Sequence, residues 1–295
     1  MVKRYFKNPR KLIRVLGGRG FFNWLPDRPY LKLVYWGETG NRLNLNNPTA
    51  FNEKIQWLKL YDRKLEYSKF VDKYEVRAYV EEKIGEDYLI PLIGIYNNIE
   101  EIDWCHLPDQ FVLKCTHGSH CNIICTNKAN LNITEINNKL QKWLKHNWYW
   151  FGREWPYKNI TGKIICEQFL GELNDLPNDY KIMCFNGEPQ IVQIHRKNLS
   201  GQHLIDFYSM EGNQLPFRKK GFANSDVKFI DIESLKEMFD LARRLSEGTK
   251  YIRTDFYFVR NKIYFGELTL YDSSGLIDFE PKWSNYFLGE KLNFS

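Results

Sequence analysis

The chain has 295 residues, of which 43% are hydrophobic and 26% are charged, so it can bury a sizeable core and is not expected to be disordered as a whole. Its net charge is +6, but residues 1–36 contain nine Lys or Arg and one acid, so the rest of the chain carries −2. This distribution disfavours a globally basic nucleic-acid-binding protein, and we expect no nucleic-acid partner. The feature that needs an explanation is one basic, aromatic-rich end.

The sequence also bears on location. No stretch comes near the ~18 consecutive apolar residues of a membrane span, and the basic N-terminus lacks an apolar run followed by a cleavage site. The six cysteines are scattered without a CxxC pair, which fits buried free thiols in a reducing cytoplasm. A zinc site drawn from His117, His120, Cys121 and Cys125 would lack the second cysteine pair of a structural site, so we disfavour it.

The first 115 residues predict a basic, turn-rich segment followed by helices and short strands. Residues 1–50 are broken by glycine and proline. Beyond them, apolar spacing and turn residues predict a helix over 51–60 capped by Thr49, one helix over 68–84 ended by Gly85, and strands over 89–96 and 111–115.

The remaining chain mixes both kinds of element. We predict strands over 122–125, 163–170, 252–259 and 263–270, further strands on either side of Asn186-Gly187, and helices over 133–146 and 232–247. The aromatic block 147–157 is expected to form a small core of its own, with Arg153 and Tyr157 as residues that can face an acceptor. Such a mixture without repeats indicates an α+β or α/β fold.

A polar loop between two predicted strands is the first candidate site. Lys114 ends one strand, and the loop that follows contains His117, Gly118 and Ser119. Backbone N–H groups of such a loop can approach phosphate oxygens, and the lysine supplies a point charge. The same pattern also fits an ordinary hairpin with a surface lysine.

The second candidate site lies on the predicted C-terminal hairpin. Arg253 and Asp255 alternate on one strand, as Glu267 and Thr269 do on the next, so the turn at 260–262 can bring the two carboxylates together. Two carboxylates in an apolar sheet are costly unless a cation joins them, and oxygen ligands suit Mg²⁺. The alternative is a structural Arg–Asp pair with an exposed glutamate.

Two weaker motifs complete the set. Glu167 ends an apolar strand and precedes Gln168, Phe169 and Leu170, where carboxylate and backbone groups could meet an adenine and a ribose. The pair Asp72-Lys73 lies near the start of a predicted helix, and by itself it is typical of the solvent-exposed face of a helix.

In order, these motifs resemble the ATP-grasp superfamily, and most closely its TupA-like branch, found among genes for bacterial capsular and teichuronopeptide-type surface polymers. The similarity covers about residues 44–289 and is carried by segments 47–57, 72–77, 111–118, 153–158, 179–181, 253–267 and 274–275. It implies an α+β ATP-grasp fold in which two α+β subdomains, the lid and the C-terminal one, sandwich ATP. The implied division is a mainly helical basic N-terminal region 1–50, an N-terminal subdomain 51–110, a lid 111–170 and a C-terminal subdomain 171–295.

The resemblance also assigns expected roles. ATP would be held by Lys73, Lys114, the loop residues His117, Gly118 and Ser119, the hinge residues Glu167, Gln168, Phe169 and Leu170, and Asp179 with Lys181. Mg²⁺ would be held by Asp255 and Glu267, with Thr269 where the superfamily commonly has asparagine. Arg253, Arg196 and Lys114 would neutralise charge during catalysis.

The implied reaction is a carboxylate–amine ligation: ATP phosphorylates a carboxylate, and an amine then displaces the phosphate to form an amide. The expected substrates, an amino acid or other amine and a uronic-acid glycan or its precursor, rest on the branch's gene context. A glycosyltransferase of surface-polysaccharide synthesis is the alternative, although the chain lacks a D-x-D motif.

The basic residues 1–36 lie outside these motifs. Their charge suits either an acidic glycan or anionic lipid at the inner face of the membrane, and their aromatic rings could pack on the protein core or contact an interface. We therefore expect a cytoplasmic protein that can be peripheral at the inner membrane face.

Overall fold

The structure is a computed structural model, and it describes residues 9–171, 177–197, 202–226 and 232–294. The helices are α1 (Leu12–Gly18), α2 (Asp27–Thr39), α3 (Phe51–Tyr61), α4 (Tyr67–Val71), α5 (Val76–Ile84), α6 (Ile133–Leu144), α7 (Tyr149–Gly152), α8 (Ile232–Ser246) and α9 (Trp283–Glu290). The strands are β1 (Leu92–Tyr96), β2 (Phe111–Cys115), β3 (Asn122–Cys125), β4 (Ile164–Gln168), β5 (Asp179–Phe185), β6 (Glu188–Lys197), β7 (His203–Ser209), β8 (Arg218–Lys219), β9 (Tyr251–Val259), β10 (Lys262–Thr269) and β11 (Phe279–Glu280).

The described part of the N-terminal region is helical, as predicted. In α2 the apolar residues Tyr30, Leu31, Val34 and Tyr35 recur at helical spacing and are buried, and the helix ends at Gly40 with a left-handed φ of 79°. Together with Leu43, Leu45 and Leu276 they form a small apolar cluster. This layer is therefore anchored to the C-terminal part of the chain.

Two helix predictions are wrong in detail. The N-cap of α3 is Ala50 rather than Thr49, because the Glu53 carboxylate accepts the backbone N–H groups of both residues at 3.1 and 3.3 Å. The predicted helix over 68–84 is two helices. The Asp72 carboxylate accepts the N–H groups of Tyr74 and Glu75 at 2.8 and 3.0 Å, and this local bonding competes with helix continuation.

A four-stranded antiparallel sheet, the lid sheet, has the order β1-β4-β2-β3. Its core contains Phe111, Leu113 and Cys166, and α6 contributes Ile136 and Leu140. Because β1 pairs with β4, the expected boundary between residues 110 and 111 cuts through this sheet, which begins at Leu92.

A five-stranded antiparallel sheet, the C-terminal sheet, has the order β10-β9-β5-β6-β7. Apolar side chains of this sheet pack with α8, α4 and α5 in the largest core of the molecule. The predicted β9–β10 hairpin is confirmed, and its turn holds Arg260 and Asn261 at left-handed φ values of 52° and 57°. The fold is therefore α+β, as expected.

The sequence also predicted free cysteines and no membrane-spanning stretch. All six cysteines are free thiols, and five of them are buried, whereas Cys105 is exposed. Within the ranges that the structure describes, no helix is both long and apolar enough to cross a membrane.

Candidate nucleotide site

A row of charged and polar residues crosses the C-terminal sheet. Glu267 on β10 pairs in register with Asp255 on β9, Asp255 with Lys181 on β5, and Lys181 with Gln193 on β6. Opposed residues of an antiparallel sheet share a face, so these four side chains lie on one face. The prediction that Asp255 and Glu267 meet across the hairpin is confirmed.

Arg253 on β9 lies beside this row, two residues before Asp255, and it is only 7% exposed. Its guanidinium holds both oxygens of Asp255 at 2.7 Å and donates to Asp272 at 2.8 Å. It also donates to Glu267 at 3.3 Å and to the Thr269 hydroxyl at 3.0 Å. The planar, five-donor group thereby sets the positions of both predicted metal-binding carboxylates.

Lys73 connects the two sheets. Its ammonium group lies 3.7 Å from the Glu267 carboxylate and donates to the carbonyl of Gly118 in the lid loop at 2.6 Å. Its backbone N–H bonds the Thr116 carbonyl at 2.9 Å. A helix-breaking dipeptide that looked like a solvated surface thus joins the predicted phosphate loop to the predicted metal site.

The lid loop is tightly packed at its base. A side chain at Gly118 would collide with the Trp148 indole, and one at Gly162 would collide with the His117 ring. The His117 ring is 3% exposed and its Nε2 contacts the His146 carbonyl at 3.1 Å, whereas Ser119 is exposed. Hence the His117 side chain supports the loop, and the loop's solvent-facing part is near Ser119.

The carboxylate of the predicted hinge residue Glu167 already has two cationic partners. Glu167 receives Lys114 at 2.6 Å and Arg77 at 3.2 Å, and Arg77 also donates to the Ile90 carbonyl at 3.0 Å. Glu167 therefore positions Lys114 rather than presenting a free carboxylate. Gln168 is exposed, and Phe169 and Leu170 are half-buried at the same strand end.

The electrostatics of the row keep Glu267 ionised. Burial acts to raise the pKa of Glu267, but the nearby cations Lys73, Lys181 and Arg253 outweigh it and lower the pKa to about 2. Glu267 is therefore ionised at neutral pH, and its side chain keeps 34% exposure. Several cations converge here on a carboxylate that still reaches solvent.

Asp179 has an unsatisfied atom. Its Oδ2 pairs with Lys181 at 2.7 Å, while its Oδ1 is buried without a hydrogen-bond partner. A buried acceptor of this kind costs free energy unless a ligand donates to it. A ribose hydroxyl supplies such a donor, so the residues present fit the nucleotide that the sequence predicts.

The described residues offer few ligands for a metal ion. In the described part of the chain, no group of three or more His, Cys, Asp or Glu is arranged to hold a metal, so the zinc site of His117, His120, Cys121 and Cys125 is not formed. Mg²⁺ is commonly bound by one or two carboxylates with phosphate and water completing its shell. Asp255 and Glu267 supply two such carboxylates, and Arg253 donates to both of them as well as to the Thr269 hydroxyl.

Two residues expected near the substrates lie elsewhere. Arg196 follows His195 in a regular part of β6, so it points to the opposite face of the sheet from Gln193 and His195, and it pairs with the buried Asp206. Arg153 is 2% exposed and lies 4.4 Å from the Tyr30 ring centre, so it anchors the N-terminal layer and does not face an acceptor.

The sequence-based reasoning missed a buried ion-pair cluster beside Arg253. Asp272 accepts hydrogen bonds from Lys219 at 3.1 Å and from Gln193 at 2.9 Å. Only the position of Asp272, just after β10 and before Ser274-Gly275, could have pointed to it. Lys219 lies on the two-residue strand β8, which carries no recognisable pattern.

Two antiparallel sheets joined at a lysine, with cations around paired carboxylates, define a nucleotide-binding fold of the ATP-grasp type. The model of the TupA-like ATP-grasp family matches residues 53–293, and the chain belongs to that family. None of the curated proteins matches the chain.

Solved structures show a distant likeness of fold. D-alanine–D-alanine ligase from Bacillus anthracis, complexed with ATP, is 11% identical with a TM-score of 0.41, covering 68% of this chain and 54% of that one. The ATP-grasp ligase PsnB with its minimal precursor gives 10% and 0.39, covering 70% and 53%. N5-carboxyaminoimidazole synthetase from Staphylococcus aureus gives 10% and 0.40, covering 68% and 44%. The chain spans about half the length of these proteins.

Proposed function

We propose that the protein is an ATP-dependent, ADP-forming carboxylate–amine ligase that works through an acyl phosphate. The observation that carries the proposal is the paired carboxylates Asp255 and Glu267, held by Arg253 and linked by Lys73 to the lid loop. These groups suit phosphoryl transfer, in which positioning and charge neutralisation do most of the catalytic work.

Each residue has a part in this proposal. Lys73, Lys114 and the Gly118-Ser119 backbone would bind phosphate oxygens, and Asp179 would accept from the ribose. Asp255 and Glu267 would hold Mg²⁺, which neutralises phosphate charge when bound. Arg253 would stabilise the negative charge that develops as phosphate leaves, because its guanidinium is already oriented by the two carboxylates.

We further propose an amino acid or other amine and a uronic-acid glycan, or its precursor, as the substrates. Both the gene context of the TupA-like branch and the chain's basic N-terminal region support an acidic acceptor. A uronic acid offers the carboxylate that such a ligase would activate.

The basic N-terminal layer supports a second part of the proposal, contact with an anionic inner-membrane surface. Around the α1–α2 connection, Phe21 is 64% and Trp24 is 76% exposed, and the same segment carries the exposed cations Arg19, Arg28 and Lys32. Exposed rings beside cations are the combination that interfacial contacts use.

Vesicle sedimentation tests this contact. We expect binding to phosphatidylglycerol vesicles that weakens at high salt, and a clear loss in Trp24→Ser but not in Trp283→Ser, whose indole is 47% exposed elsewhere. Equal binding to neutral vesicles, or an unchanged Trp24→Ser variant, would contradict membrane contact while leaving the ligase proposal intact.

An ADP-release assay tests the reaction. Amino acids and uronic acids are supplied in pairs with ATP and Mg²⁺, and wild type is compared with Glu267→Ala. We expect pair-dependent ADP that Glu267→Ala abolishes. Absence of ATP-dependent turnover with every pair, or full activity of the variant, would reject the ligase. Release of a nucleoside diphosphate from a sugar nucleotide would instead support the glycosyltransferase alternative.

A further inference from the structure

A sequence motif that the nucleotide site leaves unused lies just outside it. Glu154 and Tyr157 belong to the segment 153–158, and both side chains are half-buried. A Cβ atom on Gly152 would lie 2.6 Å from the Ser274 hydroxyl oxygen and 3.1 Å from Glu154 Oε1. Because the glycine has no side chain, the Glu154 carboxylate and the Ser274 hydroxyl can both approach this point.

The strand register gives the position of these side chains relative to the nucleotide residues. On the polar face of the C-terminal sheet, Asp179 comes first, Lys181 second, and the row of Arg253 third. Arg253 donates to Asp272 at 2.8 Å, and Ser274 follows two residues later. The side chains around Ser274 therefore lie beyond Arg253, on the side away from the residue proposed to bind the ribose.

The Tyr157 phenol is close to both groups of residues. Burial raises its pKa well above the usual range, and the negative charges of Glu154 and Glu267 add to this effect, whereas Arg253 opposes it. One phenol is thus influenced by the carboxylate of the motif and by a carboxylate of the candidate metal site. The surroundings of Glu154 therefore adjoin the nucleotide site.

Tyr271 brings an unsatisfied hydroxyl to the same place. It is 4% exposed, and its Oη atom is buried without a hydrogen-bond partner among the residues that the structure describes. Burial raises its pKa well above the usual range, and Glu154 is the strongest of the charges that add to the shift. A buried hydroxyl without a partner costs free energy that a ligand would recover.

Lys59 holds this region in place. Its ammonium group donates to the carbonyl and hydroxyl oxygens of Ser274 at 2.8 Å each and to the Gly152 carbonyl at 3.0 Å. Burial lowers the pKa of Lys59 to about 8, and the negative charge of Glu154 opposes the shift. Ser273 and Ser274 have left-handed φ values of 51° and 56°, which residues other than glycine keep only where contacts hold them. The lysine therefore balances the charge of Glu154 while its own donors are taken.

These groups are complementary to hydroxyls. The Tyr271 O–H needs an acceptor and the Glu154 carboxylate needs a donor, and a hydroxyl group supplies both. An ammonium group has donors only and would leave the tyrosine proton unpaired, whereas a second carboxylate would be repelled by Glu154. A polyhydroxylated acid would thus bind with its carboxylate toward Arg253 and its hydroxyls toward Glu154.

We propose that Glu154, Tyr157 and Tyr271 form a hydroxyl subsite for the substrate whose carboxylate is phosphorylated, and that this subsite makes the enzyme specific for sugar acids. The inference rests on the proposed ligase function and assigns its specificity-determining residues. When a hydroxyl is missing from the substrate, a site built to bond it is left with unpaired polar groups, so such a site discriminates strongly against hydroxyl-free acids.

Two kinds of acid that differ in their hydroxyl groups test the subsite. Glucuronic and galacturonic acids are compared with oxane-2-carboxylic acid, which keeps the ring oxygen and the carboxylate, and hydroxylamine traps each acyl phosphate as a hydroxamate. We expect wild type to favour a uronic acid at least about 10²-fold in kcat/KM. In Glu154→Gln this value should fall about 10–100-fold, mainly through KM, while that for oxane-2-carboxylic acid stays within about threefold of wild type. The matched control is Glu135→Gln, an exposed glutamate on α6 whose loss should change neither value.

A second variant separates substrate binding from folding. Tyr271→Phe removes a hydroxyl without a partner, so its urea midpoint should equal or exceed that of wild type, while kcat/KM for the uronic acid falls about tenfold or more. Tyr67→Phe is the comparison, because the Tyr67 hydroxyl donates to Asp62 at 2.9 Å and its loss should lower the midpoint.

The outcomes are distinct. Equal loss with both kinds of acid in Glu154→Gln, loss with neither, or a wild type that uses the hydroxyl-free acid equally well overturns the subsite and leaves the ligase intact. A midpoint of Tyr271→Phe lowered as much as that of Tyr67→Phe overturns the role of the Tyr271 hydroxyl. Absence of hydroxamate from wild type with every acid rejects the ligase and this inference together.

Discussion

At the scale of single residues, Asp272 shows how this site depends on balanced buried charge. Its carboxylate is 1% exposed and is bonded by Lys219, Arg253 and Gln193. Burial acts to raise its pKa, but Lys219 and Arg253 outweigh that effect and lower it. A carboxyl whose pKa is lowered by folding stabilises the fold above about pH 4 and loses this contribution as the pH falls.

Replacing Asp272 by Asn should therefore destabilise the protein by about 3–5 kcal/mol at pH 7, because two buried cations lose their counter-charge. Urea unfolding measures the change, and the difference from wild type should shrink at acidic pH. Glu188→Gln, which breaks an exposed pair with Arg243, is the control and should cost no more than about 0.5 kcal/mol. Similar stabilities of Asp272→Asn and wild type at pH 7 would contradict the cluster.

Lys59 gives a prediction of the same sign in a more alkaline pH range. It is fully buried, and burial lowers its pKa to about 8, although its ammonium group donates to Gln56, to Ser274 and to the Gly152 carbonyl. The unfolded chain then binds more protons between about pH 8 and 10, so this residue's contribution to stability rises with pH.

The stability of wild type relative to Lys59→Met should therefore increase by about 2 kcal/mol between pH 7 and pH 9.5. Parallel urea titrations of both proteins provide the measurement. The subtraction removes the effects of other titrating groups. A difference that is constant with pH would show that Lys59 keeps an ordinary pKa in the folded protein.

At the scale of elements, sequence patterns predicted the helices and strands well where the apolar period was long. The helix over 133–146 and the hairpin over 252–270 were found within one or two residues. The failures have local causes: side-chain bonds of Asp72 divide one helix, and Glu53 moves a cap by one residue. Such bonds compete with regular structure at single positions, which periodicity does not report.

The attachment of the N-terminal layer depends on the side-chain contacts of one residue, Arg153. Arg153 stacks on Tyr30 and Trp150 at 4.4 and 4.5 Å and donates to the carbonyls of Phe22 and Leu25 at 3.1 Å. Arg153→Leu should loosen this layer, so amide exchange over 12–39 should accelerate while the C-terminal sheet stays protected. Arg28→Leu, an exposed change in the same layer, should leave exchange unaltered. Uniform acceleration over the whole chain would instead mean global destabilisation.

At the scale of the whole molecule, the sequence predicted the types of residue at the site better than their connections. Asp255, Glu267 and Arg253 could be paired from strand alternation alone, because one hairpin carries all three. Lys219 and Gln193 could not, since they come from separate strands whose placement is a property of the tertiary fold. The same limit explains why Arg196, one residue away from the right face, was expected to take part.

The contact between lid and C-terminal sheet is the second whole-molecule feature. Lys73 touches both, and Lys73→Met should weaken binding of a non-hydrolysable ATP analogue about 10–100-fold through loss of charge-assisted hydrogen bonds. Calorimetry with the analogue measures this, and Lys69→Met, an exposed change four residues earlier in the chain, is the control. Unchanged affinity in Lys73→Met would separate this lysine from the nucleotide site.

The central claim is that this TupA-like ATP-grasp protein activates a carboxylate as an acyl phosphate. It is tested most directly by supplying a uronic acid labelled with ¹⁸O in its carboxylate, together with ATP, Mg²⁺ and an amine, and following the phosphate by ³¹P NMR. One ¹⁸O atom should appear in the inorganic phosphate of each turnover, and none should appear with Glu267→Ala. Turnover that leaves all the label in the product, or that releases pyrophosphate, would contradict the account.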